Sequence, residues 1–148
     1  MNSAWKSPAL ALYCALWSGI VIGVSFIATV AKFAAPSLTR PVALDVGTHT
    51  FAMLARIEWG LLAGLALLIL LAGLRRYRLI FFVVLAAILA VEALWIFPQL
   101  SARTALVIAG QPLPPSPLHG LSVAAESSKT LLLALFAVLE LKWRAYTA

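Results

Sequence analysis

The sequence predicts an all-α integral-membrane protein, a bundle of four transmembrane helices forming one domain over residues 1–148. Its composition is 64% hydrophobic and 11% charged with a mean hydropathy of +1.03, whereas about a quarter of the residues of a soluble globule are charged. The apolar residues fall into four runs, each near the ~20 residues that a helix needs to cross a bilayer. Basic residues gather at the ends of those runs. The net charge of +6 is therefore explained by the orientation rule for membrane proteins and not by a nucleic-acid partner. The single Cys14 sits inside an apolar run, which excludes an intrachain disulfide framework or a thiolate metal cluster.

The first span is expected over residues 9–31. Its apolar part exceeds the ~7–15 residues of a signal-peptide core, so it reads as a retained helix. Gly19 and Gly23 form a small-xxx-small pair that lets another backbone approach, and Ser25, Thr29 and Lys32 line one face of the final turns. Pro36 and Pro41 are expected to stop this helix, leaving an outer loop over residues 32–49 in which Asp45 is placed to cap the next helix. The second span, residues 50–74, carries Gly60 and Gly64 as a second small pair. Arg56 and Glu58 lie about 200° apart around it, at ~100° per residue, so they do not pair locally. Arg75, Arg76 and Arg78 fill a short turn into the third span, residues 79–97, and Pro98 is expected to end that span. A proline-rich outer loop, residues 98–117, follows, with a short interfacial helix over 102–109, and the fourth span covers residues 118–141. With four spans, Lys6, the arginine turn, Lys142 and Arg144 share one side, which makes both termini cytoplasmic.

Four polar residues of the last span, His119, Ser122, Glu126 and Lys129, recur at steps of three, four and three and so share one helix face. Intramembrane charges cost about 2.5–3.5 kcal/mol on insertion scales and are normally turned inward and paired. Carboxylates on three different spans, Glu58, Glu92 and Glu126, interleaved with Arg56, Arg103 and Lys129, therefore predict a polar pocket open outward, with a nearly pure apolar inner half. Arg56, Glu58, Glu92, Arg103, Ser122, Glu126 and Lys129 are the candidate ligand-binding or charge-network residues. His49, Glu58, Glu92, His119 and Glu126 offer the imidazole and carboxylate ligands of a metal ion, the one cofactor the sequence raises. No local metal pair such as HxxxH is present, and no nucleotide, nucleophile or redox motif.

Two stretches, 36–44 and 98–106, align without gaps on proline, leucine, a hydroxyl residue and a final Ala-Leu, and each precedes a histidine and then a deeper carboxylate. Two pseudo-repeated hairpins related about an axis along the membrane normal would produce this; chance among common residues would too. The run from Trp17 to Gly47, with Glu58-Trp59 and Glu126-Ser-Ser-Lys129, resembles small uncharacterised four-helix bacterial membrane proteins. These are distantly similar to a vertebrate four-helix family linked to metal-drug resistance. The resemblance implies a multi-pass protein of the bacterial inner membrane and carries no catalytic assignment.

The functional expectation is an outward-facing pocket that binds a small ligand or a metal ion, with transport or export as the process served. The alternative is a structural or accessory subunit whose charges lock helix packing and whose Gly19/Gly23 and Gly60/Gly64 faces dock a membrane partner or a second copy. A membrane enzyme built on a tertiary metal site ranks behind both.

Overall fold

A computed structural model describes the backbone of residues 5–147 and the side chains of residues 5–142; the side chains of Trp143 and Arg144 lie outside the described residues. The apolar runs form four helices, α1 (Lys6–Ala34), α2 (Arg40–Ala72), α3 (Arg76–Ile108) and α4 (Leu118–Thr147). Each is long and apolar enough to cross a membrane. Around the bundle, α1 packs on α2 and α4, and α3 packs on the same two helices from the other side. Large apolar side chains point outward on every helix, among them Leu16, Leu70, Val83 and Leu131. No water-soluble fold leaves so much apolar surface open, and lipid is the solvent that suits it.

The helices run further than their apolar cores predict, because two prolines do not break them. Pro41 occupies the first turn of α2, where its missing N–H would have had no partner in any case. The helix thus starts at Arg40, well before residue 50, and Asp45 lies inside it and caps nothing. Pro98 does not end α3. It follows a π-helical segment, Glu92–Ile96, at the start of the α-helical segment Phe97–Ile108. The change of hydrogen-bond register there removes the demand for the N–H that proline lacks. The expected interfacial helix over 102–109 is thus the end of α3. The two loops expected over 32–49 and 98–117 contract to residues 35–39 and 109–117. Gly110, at φ 77°, closes α3, with Gln111 N–H donating to Leu106 O and Gly110 N–H to Val107 O, a left-handed cap that glycine adopts without steric cost.

Along its axis the bundle is layered. At the end shared by the N-terminal start of α1 and the 73–75 turn lies an ion pair, Arg78 with Glu140. Next comes a dry core in which Leu10, Cys14, Leu65, Ile69, Leu85 and Leu133 are buried and Phe81 stacks on Phe136 at 3.8 Å. A second charged layer follows, and beyond it the bundle opens into a cavity at the loop end. The half expected to be nearly pure apolar holds a buried Arg78 and Glu140, which corrects that expectation. The Arg78 guanidinium grips both oxygens of Glu140 at 2.7 Å and also donates to Ser7 Oγ and to the carbonyls of Ala72 and Gly73. Tyr77 adds a third hydrogen bond to Glu140, donating to it at 2.8 Å.

Of the four glycines expected to serve helix packing, one does so within the chain. A Cβ on Gly64 would run into the Tyr13 hydroxyl, whereas a Cβ on Gly19, Gly23 or Gly60 meets nothing within 4 Å. Tyr13 donates to Leu61 O at 2.9 Å and so fixes α1 against α2. Gly64→Val is expected to cost about 1–3 kcal/mol through overpacking in a denaturant titration, while Gly60→Ala leaves the midpoint nearly unchanged.

Candidate functional site

The second charged layer is assembled by all four helices. Lys129 Nζ on α4 lies 2.8 Å from Glu58 Oε2 on α2, 2.8 Å from Glu92 Oε2 on α3 and 3.3 Å from Glu126 Oε2 on α4. From α1, the Trp17 indole N–H donates to Glu58 Oε1 at 3.0 Å. Glu58 and Lys129 are fully buried, and Glu92 and Glu126 nearly so. One oxygen from each of the three carboxylates falls within 4.8 Å of the others. The 3.6-residue period explains the assembly: Ser122, Glu126 and Lys129 share the inner face of α4, and all three are buried.

The charges do not balance. Three carboxylates surround one ammonium, a formal charge of −2 when all are ionised, in a layer shut off from water. Glu92 Oε1 and both Glu126 oxygens make no hydrogen bond among the described residues. Ser25 lies beside Glu126, close enough for a weak interaction but outside strict hydrogen-bond geometry. Buried polar atoms are rarely left so, and among the described residues those left so belong to Ser25, Glu92 and Glu126, on α1, α3 and α4.

Backbone irregularity falls at the same depth. Ser25 lies in a π-helical segment of α1, Ile22–Ala28, and Glu92 opens the one in α3. Thr29 Oγ1 donates to Val24 O at 3.2 Å, five residues back, which satisfies a carbonyl loosened by the wider turn. π-turns recur at functional positions because one extra residue re-aims the side chains that follow. Each hairpin of the bundle thus carries one such turn in its first helix.

The other expected site residues lie elsewhere. Arg56 is exposed on the outside of the bundle. His49 is exposed and bonded to Asp45, its Nδ1 lying 3.0 Å from the Asp45 carbonyl and 3.5 Å from its carboxylate. Arg103 donates to Pro114 O and, with His119, lines the cavity at the loop end. The structure therefore gathers Glu58, Glu92 and Glu126 of the five candidate metal ligands, and neither histidine. The expected outward-facing pocket with carboxylate walls is corrected to two separate features. The carboxylates are sealed. The open cavity, of about 420 Å³, is walled by residues such as Lys32, Arg40, Phe51, Phe97 and Arg103 and holds no acidic side chain. Ala52 and Phe97 of its floor stand five to six residues from Glu58 and Glu92, which is about 8–9 Å along a helix.

No family model, no curated protein and no solved structure matches the chain.

Proposed function

We propose that the three-carboxylate layer is the binding site of an exchangeable small cation, a proton or a hard metal ion, in a multi-pass protein of the bacterial inner membrane, and that Lys129 is its tethered competitor. The observation that carries this reading is the uncompensated charge of the layer, in which Glu126 meets Lys129 only as an ion pair at 3.3 Å and Glu92 Oε1, both Glu126 oxygens and Ser25 Oγ lack a hydrogen bond. These four oxygens suit Mg²⁺, Ca²⁺ or Mn²⁺ better than a thiolate-seeking metal. Glu92, Glu126 and Ser25 would hold such an ion, and Lys129 would keep Glu58. Lys6, Arg75, Arg76, Arg78 and Lys142 at the terminal end support an orientation with that end in the cytoplasm. The layer then lies about 20–24 Å from the inner boundary, counted at 1.5 Å per residue from Ala72, Arg76 and Lys142. The dry Phe81–Phe136 layer closes the inner side, so exchange would run through the loop-end cavity, as transport or export from the outer face requires.

In detergent or nanodiscs, the wild-type chain is expected to gain thermal stability with one of these cations, by about 2.7 kcal/mol at a hundredfold excess over Kd. Glu126→Gln is expected to abolish the gain while the protein still inserts. Equal responses of wild type and variant to Mg²⁺, Ca²⁺, Mn²⁺ and pH would refute the reading. One observation favours a second reading: a fully buried Lys129 touching carboxylates of α2, α3 and α4 is what a purely structural lock in an accessory subunit would look like. Under that reading Glu126→Gln changes stability and no cation matters to either chain.

A further inference from the structure

The loop-end cavity has a chemistry of its own, independent of the carboxylate layer. Lys32, Arg40 and Arg103 line it, and no Asp or Glu does. Among the described residues none of these three cations has a carboxylate within 4.0 Å, Arg103 finding only the Pro114 carbonyl. Lys32 is held in place by packing. Its ammonium sits against the helix backbone at Gly47, where a Cβ would come within 2.5 Å of Nζ, and 5.0 Å from the Phe33 ring centroid. The helix starts at Arg40 and Leu118 border the same space, and their partial positive charge adds to the field. The rest of the wall is largely apolar and aromatic, with Phe51, Phe97, Leu100 and Val107.

A second cavity, of about 500 Å³, shares Arg103, Ser116 and Leu118 with the first and runs sideways between α3 and α4, past Trp95 and Leu121. Both of those side chains are exposed on the outside of the bundle. A charged chamber with a lateral apolar exit matches an amphiphile, head inside and tail toward lipid. Three cations exceed what one carboxylate balances. A phosphomonoester, with a charge near −1.5 to −2 at neutral pH and several acceptor oxygens, fits them better. The volume of about 420 Å³ lies within the range of small-molecule sites, roughly 300–1,000 Å³.

We propose that the loop-end cavity is a binding site for a phosphate-ester headgroup carried on an apolar tail, held by Lys32, Arg40 and Arg103, with the tail leaving between α3 and α4. Guanidinium forks suit phosphate oxygens bidentately, and Lys32 supplies a point charge between them and the floor.

The test is native mass spectrometry of delipidated full-length protein with three probes: a short-chain phosphatidic acid, glycerol 3-phosphate and a short-chain phosphatidylcholine. Phosphatidic acid is expected to bind at one-to-one stoichiometry, with Arg40→Gln and Arg103→Gln each weakening it about tenfold, as loss of a close charge pair does. Arg56→Gln, at an exposed cation outside the cavity, should leave it unchanged. Retention of phosphatidic acid with no binding of glycerol 3-phosphate identifies a membrane lipid as the source. Equal binding of both identifies a soluble phosphate ester and overturns the role of the tail. Equal binding of phosphatidylcholine, or unchanged affinity in both arginine variants with unaltered gel-filtration profiles, overturns the site itself.

Discussion

Lys129→Met is expected to be the most damaging single substitution in this chain, lowering stability by about 3–5 kcal/mol and with it the yield of monodisperse protein. Among the described residues the ammonium is the only cation paired with the three buried carboxylates. Removing it leaves up to three negative charges in a layer that water does not reach, each of which must take up a proton or force the helices apart. The size of the effect distinguishes this account from one of simple packing, because methionine fills nearly the same volume. Adding Glu58→Gln and Glu92→Gln to the Lys129→Met chain is expected to recover most of the loss, since amides need no counter-charge. A denaturant titration of the single and triple variants decides the matter. A triple variant no more stable than Lys129→Met alone would mean that Lys129 acts by shape and not by charge.

At the opposite end of the bundle, Glu140→Leu is expected to cost about 3–5 kcal/mol, nearly as much. The Arg78 guanidinium, 1% exposed, would keep only Ser7, Tyr77 and the Ala72 and Gly73 carbonyls, none of which carries its counter-charge. Replacing both partners, Arg78→Met with Glu140→Leu, is expected to be milder than Glu140→Leu alone, because a buried pair exchanged for apolar volume is often tolerated. A double-mutant cycle on thermal or denaturant midpoints measures the coupling. Additive losses would show that the two residues do not act as a pair.

How much of this was legible beforehand follows from what the bilayer dictates. Four spans could be read from the sequence because lipid imposes length and apolarity on each. The helix ends could not, since Pro98 was weighed as a breaker and the π-turn that accommodates it has no strong sequence signal. Glu58, Glu92, Glu126 and Lys129 were identifiable one at a time, as charges too costly to face lipid. That a single ammonium joins all three carboxylates depends on how α2, α3 and α4 pack, and no spacing within one helix carries that.

Two missed residues did leave a trace. Glu140 stands eleven residues after Lys129, about 20° off the same face at ~100° per residue, so it belonged to the inward stripe and not to the basic helix end. Trp17 sits mid-span on α1, away from the boundaries that indoles favour, and its N–H needed a buried acceptor, which Glu58 supplies. The cavity differs from the sequence expectation for another reason. Charges on neighbouring helices look like one pocket in the sequence, whereas a rise of 1.5 Å per residue separates the cationic rim from the anionic layer by more than a turn.

If the layer around Glu126 exchanges a cation as proposed, Trp17 offers a direct view of it. Its indole N–H touches Glu58 Oε1 at 3.0 Å, so the indole proton–nitrogen resonance, assigned by Trp17→Phe, reports any change of charge in the layer. Titration of the nanodisc-embedded protein with Mg²⁺, Ca²⁺, Mn²⁺ and protons is expected to move that resonance saturably with at least one of them in the wild type and with none in Glu126→Gln. A resonance that stays fixed throughout in the wild type, or that moves identically in both chains, would contradict the claim.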